Sequence, residues 1–237
     1  MGDTHLNSVE ANLEFLHAAY TWFKKEGADF VAQTGDLTEG EDMRPSQKYY
    51  LHVQGIDRTV QYVVANYPNT DLTTYFIGGN HDESYMNHSG HDICKHVSLY
   101  RRDMIYLGMN EGDIPADVVG THIKIWHPSK GTAKGLSYQT QGLLDYFVNK
   151  NEKKPNILII GHYHKFDALF DHNVHAYQAG TTQNQSGWMR TKNLAADLMC
   201  WLLDVYYKPS GEVDRIDERY ISWKEKGGIK ISAVKKS

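Results

Sequence analysis

Cysteine is nearly missing from this chain: Cys94 and Cys200 are the only two in 237 residues, and neither has the spacing of a metal or redox pair. That excludes a disulfide framework, leaves two isolated thiols and fits a reducing compartment. No basic segment followed by an apolar one opens the chain, and no apolar run reaches the roughly 18 residues that span a bilayer. A soluble, cytoplasmic protein is therefore expected. Basic excess is absent as well, because the net charge of −4 and a pI near 6.3 argue against a broad polyanion-binding face. Linkers, repeats and low-complexity segments are also missing. With 41% hydrophobic residues the chain reads as one catalytic domain, 1–237. A domain of this length buries roughly 70% of its unfolded surface and needs no covalent staples. The Lys-rich stretch 224–237 reads as a solvated tail.

What is present is concentrated in five short blocks: Gly2-Asp3-Thr4-His5, Gly35-Asp36, Gly79-Asn80-His81-Asp82, His127 and Gly161-His162-Tyr163-His164. Carboxylate, amide oxygen and neutral imidazole together suit borderline divalent ions such as Mn²⁺, Fe²⁺, Ni²⁺ and Zn²⁺, whereas a site for Mg²⁺ or Ca²⁺ would be mostly oxygen. No block contains cysteine, which argues against a closed structural zinc cage. Asp3, His5, Asp36, Asn80, His127, His162 and His164 make seven candidate ligands, too many for one ion with an open position. Two ions sharing one carboxylate is the economical arrangement.

Short apolar or β-branched runs precede four of the blocks: Ala28 to Gln33, Leu72 to Ile77, Thr121 to Trp126 and Asn156 to Ile160. Ligands carried on strand ends converge at the carboxyl edge of a sheet, where open α/β folds bind ligands. Helices are expected over Ser8 to Lys25 with Ser8 as N-cap, over Ser46 to Tyr67 with Pro68 as the stop, and over Leu136 to Asn149. Residues 83–110 read as a loop-helix segment. Further strands are expected over Phe166 to Phe170, Val174 to Ala179, Met199 to Tyr207 and Asp214 to Trp223. The sum is an α/β fold, a two-sheet sandwich flanked by helices.

The ordered set Asp-x-His, Gly-Asp, Gly-Asn-His-Asp, His and Gly-His-x-His resembles the calcineurin-like metallophosphoesterases, a superfamily of two-metal phosphomonoesterases, phosphodiesterases and nucleases. The segment from His127 through Ala179 to Arg190 is most similar to compact microbial, archaeal and phage members, relatives of repair exonucleases and of the archaeal family D polymerase small subunit. The resemblance implies that Asp3, His5, Asp36 and His164 hold one metal, that Asp36, Asn80, His127 and His162 hold the other, and that Asp36 bridges them. His81 would be the group that contacts the phosphate and assists the leaving oxygen. Glu39 stands where the Ser/Thr phosphatases carry an Asp that orients this histidine, although Gly40 replaces the arginine that follows there. Imidazoles on metals usually donate their other N–H to a carboxylate or carbonyl, and Asp82, Glu83 and Asp167 are candidates. In that fold the Asp-x-His block ends the first strand. Only Met1 and Gly2 precede Asp3, so the resemblance also implies that this strand is lacking here, that the natural chain extends upstream, and that a neighbouring strand is left as an open edge.

Each block alone has an ordinary reading, since Gly-Asp and Gly-Asn-His occur in turns and His127 before Pro128 could simply end a strand. It is their order after successive strands that points to a metal site. Lys130, Lys134, Lys165, Arg190 and Lys192 are either phosphate-contacting or solvated surface charges. His88, His91, Cys94 and His96 lack zinc-site spacing. Three activities are consistent with the residues. The first is a phosphodiesterase or nuclease on DNA or nucleotides, attacking phosphorus in line with water activated between Mn²⁺-type ions. The second is a phosphomonoesterase on nucleotides, phosphoproteins or small esters. The third, a non-catalytic assembly module, is disfavoured by the intact ligand set.

Overall fold

The computed structural model describes residues 1–117, 120–129, 131, 137–149, 153–224 and 228–233. In chain order the elements are α1 (Leu13–Lys25), β1 (Phe30–Gln33), a 3₁₀ turn (Gln47–Tyr50), α2 (Ile56–Asn66), β2 (Thr73–Gly78), α3 (Glu83–Ser89), α4 (Ile93–Tyr100), β3 (Met104–Met109), β4 (Glu111–Asp113), β5 (Ile123–Trp126), α5 (Tyr138–Asn149), β6 (Ile157–Ile160), β7 (Phe166–Asp171), β8 (Val174–Ala179), α6 (Gly187–Thr191), β9 (Met199–Tyr207), β10 (Val213–Lys224) and β11 (Gly228–Ala233). Strands β1, β2 and β3 form a parallel sheet. A second sheet has the order β4-β5-β6-β8-β7, parallel through β5, β6 and β8, and a third, antiparallel, has the order β11-β10-β9.

Side-chain alternation organises these sheets into layers. Phe30, Ala32, Tyr75, Ile77, Leu107, Trp201, Leu203 and Val205 face a central core that also contains Ile123, Ile125, Ile157 and Tyr177 of the second sheet. Their neighbours Val31, Phe76, Met104, Cys200 and Leu202 turn the other way and pack with Phe15, Leu16 and Tyr20 of α1, Val60 and Val63 of α2 and Val97 of α4. The β1–β3 and β9–β10 strands thus share one layer. On the far side α5 buries Leu144 and Phe147 against Leu158, Ile160, Val174 and Ala176. This is the expected two-layer α/β sandwich with helices outside. No helix among the described residues is long and apolar enough to cross a membrane.

Between β1 and β9 lies Met1, whose ammonium donates to the Ala32 carbonyl at 2.8 Å while its own carbonyl accepts from Thr34 N at 3.1 Å. A cavity of about 340 Å³ continues from Met1 between Phe30–Ala32 and Leu203–Val205.

Several boundaries differ from expectation. The first helix starts at Leu13, capped by Asn12, whose side chain accepts from Phe15 N. Ser8 instead bridges to Leu51, and that pairing diverts residues 8–12 into a loop. The same bridge interrupts the second expected helix, which resolves into the 3₁₀ turn and α2, separated at Gly55 with φ 85°. The segment 83–110 holds two helices and β3. The stretch 224–237, expected as a solvated tail, contributes β11, in which Ile229 and Ile231 sit opposite Trp223 and Ile221. Leu136, Lys130 and Lys134 lie outside the described residues.

Candidate metal centre

Four parallel strands end at one place. Asp36 follows β1, Asn80 and His81 follow β2, His127 follows β5, and His162 and His164 follow β6. The loop carrying Asp3 and His5 is joined to them by backbone bonds, His5 N to Asp36 O at 2.9 Å and Leu6 N to Leu37 O at 3.0 Å. Asp82 fixes the loops after β1 and β2 together. Its buried carboxylate accepts from Leu37 N, Thr38 N, Thr38 Oγ1 and Gly79 N at 2.7–2.9 Å. It is thus a backbone clamp and not the expected partner of a metal-ligating imidazole. The glycines in the blocks make room: a Cβ on Gly79 would lie 2.2 Å from Asp36 Oδ1, and one on Gly35 would lie 2.5 Å from His127 Nδ1.

All seven candidate ligands converge, in two sets. In one, His5 Nε2 lies 3.1 Å from His164 Nε2 and 3.7 Å from Asp36 Oδ2, and His164 Nε2 lies 3.7 Å from Asp3 Oδ1. In the other, His127 Nε2 lies 3.2 Å from Asp36 Oδ2 and 3.1 Å from Asn80 Oδ1, which is 2.8 Å from His162 Nδ1. Asp36 Oδ2 belongs to both. Asp3, His5, Asp36, His127 and His164 are buried, while Asn80, His81 and His162 are partly exposed on the open side. The backbone at Asp3, His5, Asp36, His162 and His164 has φ between 44° and 76°, a left-handed conformation uncommon outside glycine and gathered here on five ligands.

The donor chemistry fits divalent cations. His127 Nδ1 must donate to the Thr34 carbonyl, 2.7 Å away, so in the neutral ring Nε2 turns a lone pair toward two further acceptors, Asp36 Oδ2 and Asn80 Oδ1. His162 repeats the pattern, with Nε2 on the Gly131 carbonyl at 3.2 Å and Nδ1 on Asn80 Oδ1. Facing lone pairs of this kind need a positive charge between them. Without a metal that charge is a proton. Burial opposes it on His5, yet the bond and charge of Glu39, with Asp36 and Asp3, push this imidazole up to about 9. On His127 burial is again outweighed, here by Asp36 and Asp3, and its value also rises to about 9. Burial and the charge on His127 hold His162 down to about 4, and burial and His5 hold His164 well below the usual histidine range. For Asp36, burial is overcome by His127, His81 and His5, which keep the carboxyl well below its ordinary value.

Glu39 has two separate duties. Its buried carboxylate lies 3.0 Å from His5 Nδ1 and is held by Arg44 at 2.6 Å and Gln183 at 2.9 Å. Its main-chain carbonyl, not its carboxylate, accepts from His81 Nδ1 at 2.7 Å. His81 N donates to Asp36 Oδ1 at 2.9 Å. The arrangement leaves His81 Nε2 without a hydrogen-bond partner among the described residues, at the mouth of a cleft of about 320 Å³ that opens onto both donor sets. Carbonyls of Thr34 and Gly131 and the Glu39 carboxylate thereby fill the supporting role expected of Asp82, Glu83 and Asp167.

The cleft also contains residues not anticipated from sequence: Arg44, Gln183 and Trp188. A tryptophan standing alone in the polar stretch Gln183 to Arg190 was the available signal for the last. Lys165 lines the cleft and donates to the Ala195 carbonyl, whereas Arg190 and Lys192 are exposed. In the histidine-rich segment His91 and His96 contact each other at 2.9 Å, His88 binds the Ser84 carbonyl and Cys94 is buried. None of these is in the clusters that could hold an ion among the described residues.

Residues 1–179 match the family model of the calcineurin-like phosphoesterases. The chain belongs to this family. No curated protein matches it by sequence. Solved structures similar to this calcineurin-like phosphoesterase include a novel archaeal phosphodiesterase, at 12% identity and TM-score 0.49 over 99% of this chain and 97% of that one. Others are a predicted phosphoesterase of Streptococcus pneumoniae TIGR4, at 13% identity and TM-score 0.44 over 99% and 95%, and vacuolar protein sorting 29 of Cryptosporidium parvum, at 12% identity and TM-score 0.45 over 94% and 95%.

Proposed function

We propose that this phosphoesterase is a two-metal phosphodiesterase of the cytoplasm, with Mn²⁺ as the preferred ion and a nucleotide or DNA phosphodiester as substrate. The observation that carries the reading is Asp36 Oδ2, shared between two complete donor sets below His81 Nε2. Asp3, His5, Asp36 and His164 would hold one ion, and Asp36, Asn80, His127 and His162 the other. Divalent ions held there would supply Lewis acidity, positive charge for phosphoryl oxygens and hydroxide near neutral pH. His81 stands where charge develops on the leaving oxygen. Its Nδ1–H is fixed on the Glu39 carbonyl, which aims Nε2 into the cleft, where a proton carried on Nε2 would be donated to that oxygen. Glu39 and the Thr34 and Gly131 carbonyls orient the ligating imidazoles.

Preference for a diester follows from the cations. A monoester dianion calls for more positive charge beyond the ions than a diester does, and among the described residues the cleft offers Arg44, which is paired with Glu39, and Lys165. A diester carries one negative charge. The test is turnover of bis-p-nitrophenyl phosphate against p-nitrophenyl phosphate after chelation and Mn²⁺ reconstitution, followed by single- and double-stranded DNA. Faster monoester turnover would reassign the protein as a phosphomonoesterase, and full activity in metal-free protein would end the two-metal reading.

A further inference from the structure

We infer that Trp188 is a stacking platform for a nucleobase, and that the substrate is a nucleoside phosphoester of mononucleotide size. This rests on the phosphoesterase reading above and narrows it. Trp188 is 44% exposed although its neighbour Met189 is buried, so the indole is not needed by the core. It lines the same cleft as His5, Asp36 and His81, and the Arg44 guanidinium sits 5.4 Å from its ring centroid. The cleft therefore has a polar floor for the phosphate and a wall made of Trp188, Met43, Met189 and Leu194. A flat aromatic group attached to a phosphate matches both halves. Stacking on an aromatic side chain is a way that proteins hold single bases.

The platform is tied to the metal floor. Gln183 donates to the Glu39 carboxylate, Gln185 donates to the Leu194 carbonyl at 2.7 Å, and Ser186 Oγ accepts from Met189 N at 3.2 Å. The ring therefore keeps a set position relative to His5. A polymer held along its backbone would need several unpaired cations tracking away from the site. Among the described residues, two cations line the cleft, of which Arg44 is paired with Glu39, and the chain carries a net charge of −4. One base on Trp188 is the better match.

The test compares thymidine 5′-(p-nitrophenyl) phosphate with methyl p-nitrophenyl phosphate, which share the leaving group and differ in the nucleoside. With Mn²⁺ the unsubstituted protein should favour the thymidine ester in kcat/KM by about ten- to hundredfold, the scale of one stacked base. Trp188→Ala should remove most of that ratio, and Trp188→Phe should keep most of it. Lack of preference in the unsubstituted protein, or a preference that survives in Trp188→Ala, overturns the platform. Quenching of tryptophan fluorescence by adenosine in metal-free protein gives a second readout independent of turnover. Saturable quenching that disappears in Trp188→Ala supports the platform, and its absence in the unsubstituted protein overturns it. If neither ester is hydrolysed, the phosphoesterase reading fails while adenosine quenching still decides the platform.

Discussion

Replacing Glu39 separates the two jobs that one residue performs. Its carboxylate is almost fully buried, as is His5; it lies 3.0 Å from His5 Nδ1 and accepts from Arg44 and Gln183 at 2.6 and 2.9 Å. In Glu39→Gln the amide oxygen still accepts from His5, but the negative charge that makes this imidazole a stronger donor to a metal is gone. In Glu39→Ala the buried His5 N–H loses its acceptor as well. Loss of such a supporting partner weakens metal affinity by about 10- to 100-fold, which is about 1.4–2.7 kcal/mol. Gln should fall at the lower end and Ala at the upper. Only the Asp3/His5/His164 position should weaken, since the other set is oriented by Thr34 and Gly131 carbonyls. Because the acceptor for His81 is the main-chain carbonyl, kcat at saturating Mn²⁺ should stay within a factor of a few. Calorimetric Mn²⁺ titration, elemental analysis after desalting and turnover at high Mn²⁺ measure these quantities. Equal weakening at both positions, or a kcat loss of about a hundredfold at full occupancy, the scale of a lost acid–base group, would refute the division of labour.

His81→Ala should keep its metal content while kcat falls by about 10² or more; loss of an ion together with activity would make His81 a ligand. Asp36→Asn should reduce occupancy at both positions, whereas Asn80→Ala should spare the Asp3/His5/His164 position, and elemental analysis showing equal losses in the two variants would contradict the shared oxygen. The stability of metal-free protein should fall as pH rises from about 6.5 to 9. Below 6.5, the protons that His162 and His164 refuse and the proton that folded Asp3 retains up to about 7 act in opposite directions. Above it, the folded protein retains protons on His5 and His127 that the unfolded chain has released, so stability falls as pH rises to about 9. Thermal melts of chelated protein across this range check the shape, and a monotonic rise through pH 9 would contradict it.

The candidate ligands from Asp36 onward were readable because each block is placed directly after a short apolar run, a pattern set by neighbours in the chain, whereas Asp3 and His5, preceded only by Met1 and Gly2, were readable from the Asp-x-His order. What surrounds them was not, because it depends on contacts distant in sequence. Glu39 meets His5 only because the Asp3–Leu6 segment zips onto Asp36–Leu37. Asp82, adjacent to a candidate catalytic histidine, was expected beside an imidazole and turned out to bind four backbone and hydroxyl donors in two loops. Periodicity found the long helices, but it carried α1 back to Ser8 because a tertiary bridge to Leu51, invisible locally, decides where the helix starts. The three-residue β4 and the exposed β11 give too short or too mixed a pattern to read as strands.

The left-handed backbone at five of the candidate ligands restricts which elements of chemical variety this centre can explore. Asp, Asn and His enter that conformation several times more readily than other non-glycine residues, and Asp and His are what stand at Asp3, His5, Asp36, His162 and His164. The choice of ligand is therefore made by the loop as well as by the ion. A change to Cys or Glu, the usual route to a softer or harder metal preference, would meet the several-fold lower tendency of those residues to hold this backbone before any coordination chemistry was sampled. Retuning this centre for another metal is consequently easiest at Asn80 and His127, the two ligands outside that restriction.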